Sequence, residues 1–309
     1  MTALSRHGRR GIRVLALGLA SALAGGLLVA TAPAASSVAA ELSPFDAVNQ
    51  FIGTELDTTQ NKSNDAYGNT YPGAALPFGM VQPSPTTYKT NEPNGLVQEK
   101  GGYEYTADQI RGFGMTRYSG TGCHQRFGGY EFPTIPYTGA LAEDGSLPRS
   151  PASDHRSYFL DFSHADEVAQ PGYYAVTTAD GTSTELTATK RTAVSRFDFT
   201  GAEGSTLILD ASGANNRTFE VDIDIDAESR TVSGSMYGTD VCDNGNFYRA
   251  YFSTTYDQAF ETFGTWTGDA QTVGSTTASV AGGTGSDQRH RTGGWVTFAD
   301  DAVVTAKTG

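Results

Sequence analysis

The chain has 309 residues, with 34 acidic against 21 basic side chains and a formal net charge of −13. Such an acidic excess argues against nucleic acid as a partner, because phosphates need neutralising by Lys and Arg, and it suits a soluble exported protein. The two cysteines, with no C-x-x-C or H-x-x-x-H spacing in the chain, cannot build a structural four-ligand zinc site.

Residues 1–40 stand apart. Arg6, Arg9, Arg10 and Arg13 make a basic start, and Val14 to Ala30 is an unbroken run of Ala, Leu, Val, Gly and Ser. Small residues follow at Ala32-Pro33-Ala34 and Val38-Ala39-Ala40, either of which reads as a cleavage site. This is the layout of a secretory signal peptide. The apolar run is short for a membrane span of ~20 residues, so the expected mature product is secreted and not membrane-bound. Arg9-Arg10 also raises twin-arginine export, although the residues after the pair fit that signal poorly. Cleavage removes four arginines and no acids, which takes the net charge to −17. Residues 41–309 are long enough for one large all-β domain.

Ser43 followed by Pro44 predicts a short helix start, with Ser43 as N-cap, Pro44 as first helical residue and Gly53 as the stop. Residues 55–68 read as a polar loop. Pro72, Pro77, Pro83 and Pro85 with Gly73 and Gly79 exclude a helix across 68–85, leaving turns around one short apolar strand, Phe78 to Gln82. Residues 86–100 read as a second polar loop, and Thr106 to Ile110 as a single helical turn.

Gly112 to Pro136 is the stretch most suited to touching a ligand. Six glycines (Gly112, Gly114, Gly120, Gly122, Gly128, Gly129) alternate with Tyr118, Cys123, His124, Gln125, Arg126, Tyr130 and Glu131. Glycine lets backbone approach a ligand closely, and the residues between can hydrogen-bond and stack. Tyr118 and Tyr130 are the better ligand candidates among the tyrosines of the first half; the rest suit a core with polar tips. Tight turns between short strands are the competing reading.

After Pro136 short strands follow one another. Tyr173 to Val176, Glu185 to Thr189, Arg191 to Phe199 and Leu207 to Leu209 are separated by Gly, Asp, Ser and Thr turns. Phe219 to Asp226 has the cleanest period of two: Phe219, Val221, Ile223 and Ile225 on one face, Glu220, Asp222, Asp224 and Asp226 on the other. Phe247 to Thr254 and Trp295 to Phe298 read the same way, residues 264–288 as a mobile loop or hairpin tips, and Ala302 to Lys307 as a final strand. Evenly spaced strands of this kind predict an all-β sandwich of antiparallel sheets.

The acidic row of Asp222, Asp224 and Asp226 lacks the glycine turn of a calcium loop and reads as a solvated strand face. His155 and His164 read as surface or turn residues. Cys123 and His124 are adjacent, so on extended backbone they point opposite ways, which makes hydrogen bonding to a polyhydroxyl ligand a better reading of His124 than activation of a thiol. Cys123 and Cys242 permit one disulfide in an exported protein; a loop thiol beside a ligand competes with it.

Several segments, in order, resemble the N-terminal domain of glycoside hydrolase family 92. They are Val48 to Thr54, Gly68 to Ala74, Leu76 to Gln82, Gly102-Tyr103-Glu104-Tyr105, Ser119 to Cys123, Pro171 to Tyr174 and Glu185 to Thr189. The resemblance covers residues 48–200 by motif and the remainder by texture. It implies a secreted, inverting, calcium-dependent exo-α-mannosidase acting on mannose-containing N-glycans and mannans. The implied architecture is an N-terminal β-supersandwich, similar to the galactose-mutarotase sandwich, on a C-terminal (α/α)6 helical catalytic domain that holds the acid, the base and the calcium. Residues 41–309 correspond to the sandwich alone, so the chain is expected to carry no catalytic or metal-binding residue and no bound cofactor of its own. By the same resemblance Gly122 and Cys123 lie at the −1 mannose; adding His124 and Tyr118 completes the expected substrate-binding set. A stand-alone carbohydrate-binding or adhesion module is the alternative, and a mutarotase-like enzyme with a His–Glu pair is a third.

The sequence also departs from the family pattern. Arg117-Tyr118 precede Ser119 where His is common, and Gln98 to Gly101 lack a tryptophan.

Overall fold

The computed structural model describes residues 43–55, 68–88, 101–119, 129–239, 245–282 and 290–309. The expected signal peptide, the loop positions Gly122, Cys123 and His124, and Cys242 lie outside the described residues.

Sixteen strands occur in chain order among the described residues. They are β1 (Ser84–Tyr88), β2 (Gln109–Gly114), β3 (Thr134–Tyr137), β4 (Leu160–Gln170), β5 (Tyr173–Thr178), β6 (Ser183–Ala188), β7 (Ala193–Asp198) and β8 (Thr206–Leu209), then β9 (Thr218–Asp226), β10 (Thr231–Thr239), β11 (Phe247–Tyr256), β12 (Thr262–Thr267), β13 (Ala270–Val273), β14 (Thr277–Val280), β15 (Thr292–Thr297) and β16 (Val303–Thr308). One helical turn, α1 (Pro151–Asp154), is capped by Ser150 Oγ, which accepts from Ala152 N. The first sheet runs β13-β12-β15-β8-β3-β2, with β1 on β2; the second runs β4-β5-β6-β7-β16-β11-β10-β9-β14. They are joined where Gln109 and Ile110 of β2 pair with Asp161 and Leu160 of β4.

The two sheets enclose a single apolar cluster. Val221, Ile223 and Ile225 are buried from β9, while Glu220, Asp222, Asp224 and Asp226 are exposed, so the alternation seen in the sequence is real. Phe113 of the first sheet meets Phe197 of the second at a ring separation of 6.5 Å. Trp295 and Trp266 are essentially fully buried. β15 is buried nearly throughout, unlike the one-sided strand expected at Trp295 to Phe298, because both of its faces are covered: Gly293 lies against the Trp266 ring and the next residue, Gly294, against Ile223 and Ile225.

Four local expectations fail for identifiable reasons. Ser43 does form its cap, accepting from Asp46 N at 3.2 Å and donating to Asp46 Oδ2 at 2.6 Å, but only a turn follows and no helix propagates. A single turn has too little cooperativity to extend without an apolar face to bury. Thr106 to Ile110 is not helical: β2 begins at Gln109 and pairs with β1. Phe78 to Gln82 is not a strand. Phe78 takes φ +58° and is 95% exposed, and the strand instead begins at Ser84 and runs on to Tyr88, into the start of what reads as a polar loop. Phe219 leaves the buried row, because a bulge opposite Tyr237 and Gly238 lets Glu220 and Thr218 pair and turns Phe219 outward.

Candidate functional site

An open cleft of about 360 Å³ is lined by Asn49, Gln50, Ile52, Thr70, Tyr71, Gly73, Ala75 and Ser119. Apart from Ala75, its lining comes from three of the segments whose motifs stand out in the sequence: 48–54, 68–74 and, through Ser119, the start of 119–123. Short local bonds hold the first wall. Asn49 Oδ1 accepts from Phe51 N at 2.9 Å, Thr54 Oγ1 donates to Phe51 O at 2.8 Å, and Thr70 Oγ1 donates across to Ile52 O at 2.7 Å. Phe51 turns away from the cleft and packs its ring on Tyr103 and Tyr105, at 6.2 and 5.5 Å. Behind the second wall, Ala74 N donates to Pro83 O and Gln82 N to Met115 O.

Arg117 is buried and close enough to Tyr71, a cleft residue, for its charge to act on that phenol. Its Nη2 donates to Ser84 O at 3.1 Å and to Thr86 Oγ1, and its guanidinium lies 5.0 Å over the Tyr130 ring. Its Nε and Nη1 have no hydrogen-bond partner among the described residues. Burial pushes its pKa down to about 10, against the pull of Tyr130, Tyr71 and Glu131. Gly102 (φ +79°) passes so close that a Cβ there would sit 3.4 Å from Arg117 Nη1. Burial raises the Tyr71 phenol, and Arg117 draws it partly back.

The structure redistributes the roles expected in Gly112 to Pro136. Tyr130, a ligand candidate in the sequence, is 1% exposed. Its ring is held between the guanidiniums of Arg111 and Arg117, at 5.4 and 5.0 Å, so it is a core residue out of a ligand's reach. Gly129 (φ +68°) brings the chain within 2.7 Å of Thr116 O, measured from the Cβ it lacks, and there even an alanine is strained. Glu131 is also buried: its Oε1 accepts from Tyr248 and from Asn216 Nδ2, and its Oε2 has no partner among the described residues. Tyr118 is half-buried and does not line the cleft. Ser119, which does, is the last described residue before the loop that carries Gly122, Cys123 and His124.

Burial raises the Glu131 carboxyl pKa, with the Tyr248 bond and Arg117 opposing. A raised folded value means the stability it brings is complete below the unfolded pKa of about 4.3 and is lost as pH climbs through the folded one. Glu131→Gln keeps an acceptor for Tyr248 and cannot ionise. It is expected to gain in stability on the wild type as pH rises from 4 to 7. Urea unfolding at the two pH values checks this, and parallel pH curves would show that Glu131 ionises without penalty.

The cleft offers amides, hydroxyls and two apolar contacts, the set that orients a polyhydroxylated ring. No carboxylate or imidazole is among its lining residues, so the described part of the cleft can bind but cannot exchange protons with a glycosidic oxygen, which needs a pair of carboxyl groups. His–acid pairs exist elsewhere. His164 Nδ1 meets Glu167 Oε2 at 2.8 Å, and His290 Nδ1 meets Asp210. Both acids are buried and bound to their histidines, which does not suit a mutarotase-like acid and base working on one sugar. Neither His155 nor His164 is a plain surface residue: they stack on His290 at 4.0 Å and on Tyr105 at 4.1 Å.

Sequence reading quoted Asn49, Gln50, Thr70 and Tyr71 as motif residues without placing them in a site. The available signal was the density of motif in two segments far apart in the chain.

Calcium does not fit the described residues. No group of three or more His, Cys, Asp or Glu side chains among them is arranged to hold a metal ion. Asp222, Asp224 and Asp226 lie along one exposed strand face and form no such group, and Asp222 Oδ1 already accepts from Ser235 Oγ at 2.5 Å.

The model of the glycosyl hydrolase family 92 N-terminal domain matches residues 47–309. An uncharacterised secreted glycosidase of Arthroderma benhamiae is 30% identical over 135 residues, which is 43% of this chain and 16% of that protein. Among solved structures, a family 92 α-mannosidase from Bacteroides thetaiotaomicron shares the fold with a TM-score of 0.65 at 24% identity, over 86% of this chain and 33% of that one. A family 92 inverting mannosidase from the same organism gives a TM-score of 0.63 at 28% identity, over 86% of this chain and 31% of that one. The chain thus spans about a third of the length of these structures.

Proposed function

The chain belongs to glycosyl hydrolase family 92, whose N-terminal domain it carries over residues 47–309, and from that premise we propose that its cleft forms one wall of the −1 mannose pocket of an exported, inverting exo-α-mannosidase. The observation that carries this reading is the lining itself. Amides and hydroxyls from Asn49, Gln50, Thr70, Tyr71 and Ser119 converge with no carboxylate or imidazole among them. Such a wall positions a sugar and leaves the chemistry to another wall. The general acid, the base and the calcium then belong to the length of such enzymes that this chain does not span. Phe78 and Met80, 95% and 67% exposed, give the Leu76 to Gln82 segment an apolar face for that remainder to cover. Gly122, Cys123 and His124, which lie outside the described residues, stay proposed substrate contacts from the sequence and its family resemblance alone.

The division of labour has a direct test. In the full-length enzyme, Asn49→Ala and Tyr71→Phe are expected to lower kcat/KM for an aryl α-mannoside about tenfold each, the equivalent of one hydrogen bond to the sugar, while residues 41–309 alone release no mannose. Unchanged kinetics in both variants would remove the cleft from the pocket. Mannose release by residues 41–309 alone would overturn the split between binding and chemistry. Micromolar binding of mannose oligosaccharides by that segment would favour the stand-alone carbohydrate-binding module.

A further inference from the structure

We propose that the outer face of β9, β10 and β11 is a second glycan-binding surface, made for a neutral chain of sugars and sharing no residue with the cleft. Its centre is an aromatic platform. Phe219, turned outward by the β9 bulge, lies 6.3 Å from Tyr237 and 5.7 Å from Phe247, and Tyr237 and Phe247 stack at 5.8 Å. Phe247 is 51% exposed and Tyr251, four residues along the same strand, is 73% exposed. Those two rings are about 13 Å apart along β11, enough for more than one sugar ring. Clustered exposed apolar surface on a sheet costs hydration and marks an interaction site.

Between the two rings the polar groups are already locked. The Arg249 guanidinium lies 5.4 Å over Tyr237, donates from Nη1 to Ser235 Oγ at 3.0 Å and pairs through Nη2 with Glu220. Ser235 Oγ in turn donates to Asp222 Oδ1 at 2.5 Å. Sugars present polarised C–H bonds on a ring face and hydroxyls around the rim. The first suit the electron-rich face of an aromatic ring, and the second suit planar guanidinium and carboxylate groups that lose little freedom on binding.

Charge selects the occupant. Glu220, Asp222, Asp224 and Asp226 share this face with Arg249, so an anionic polymer is repelled. A second copy of a chain of net charge −13 would bring the same acidic row against itself. A neutral glycan meets neither penalty. That the glycan is a mannan rests on the function proposed above.

The test is electrophoresis of the full-length protein through native gels containing α-mannan, with a β-glucan gel as control. Mannan is expected to retard the wild type. Tyr251→Ala, and Phe247→Ala with Tyr251→Ala, are expected to weaken that retention by about tenfold per ring, the loss of one stacking contact, with hydrolysis of a monosaccharide aryl α-mannoside unchanged in both and the melting temperature unchanged in Tyr251→Ala. Asn49→Ala should show the reverse: full retention with slowed hydrolysis. Its failure to slow hydrolysis would count against the cleft and leave the platform standing. Wild type that runs freely in mannan, double-variant retention equal to wild type, equal retardation by β-glucan, or a melting temperature lowered by Tyr251→Ala would each overturn the proposal. The last would mean that the face is covered by another part of the protein.

Discussion

Glu167→Ala is expected to cost about 2 kcal/mol or more of folding stability, because it strands two fully buried hydroxyls and unpairs a partly buried imidazole. Tyr103 donates to both carboxylate oxygens at 3.0 and 2.7 Å, Tyr174 donates to Oε1 at 2.7 Å, and His164 Nδ1 lies 2.8 Å from Oε2. Tyr103 and Tyr174 are fully buried and the Glu167 side chain has no exposed surface. An unsatisfied buried hydroxyl costs about 1–3 kcal/mol, and the lower end of that range for the two tyrosines already reaches the stated loss. The damage should spread toward the cleft, since Tyr103 and Tyr105 carry Phe51, whose segment forms the first wall. Glu167→Gln retains one acceptor oxygen and should cost clearly less. Equilibrium urea unfolding of the two variants decides the matter. Equal losses, or a loss for Glu167→Ala no larger than that of an exposed acid such as Glu228, would mean that the four side chains are not a bonded unit.

Alkali should unfold the protein steeply between pH 10 and pH 12. Tyr103, Tyr130, Tyr174 and Tyr256 are each 1% exposed or less, and burial raises the pKa of every one well above the ordinary 10. For Tyr103 and Tyr174 the Glu167 charge adds to that rise. A group whose folded pKa is raised holds its proton more tightly when folded, so its stabilisation is complete below the unfolded value and falls away as pH rises toward the folded one. Each such tyrosine forfeits about 1.4 kcal/mol by pH 11, and four together about 5–6 kcal/mol, much of the total stability of an ordinary domain. Arg117, pushed down to about 10 by burial, works in the opposite sense over the same range, and one such group offsets only one tyrosine. Circular dichroism and the part of the phenolate absorbance beyond that of the solvent-exposed tyrosines should therefore change together against pH, since the buried phenols ionise only on unfolding. Complete phenolate absorbance, the buried tyrosines included, with the fold intact would show these hydroxyls to be reachable from water.

The misreadings have a common origin. Period-two segments such as Phe219 to Asp226 and Arg191 to Phe199 display their pairing face in their own order, because alternate side chains point to opposite faces wherever the strand lies. The bulge that expels Phe219 depends on β10 supplying Tyr237 and Gly238 opposite it, 17 residues or more along the chain. Tyr130 and Tyr118 have similar glycine-rich surroundings in sequence, yet only Tyr130 is enclosed, since the guanidiniums of Arg111 and Arg117 close on its ring. Phe78 and Met80 look like strand residues and are not, because the pairing partner of β2 is Ser84 to Tyr88.

The sequence by itself determined the all-β class, the antiparallel strands after Pro136 and, through ordered motifs, the family. Composition and periodicity are properties of each segment alone, and motifs survive in linear order. Only the tertiary structure decided that Asn49, Gln50, Thr70, Tyr71 and Ser119 share one cleft, that Glu167 gathers Tyr103, Tyr174 and His164, and that three rings form a platform on an outer face. Each of these joins segments distant in the chain, and which of them meet is set by the strand order and register of the whole sheet, where one buried core has to satisfy every strand at once.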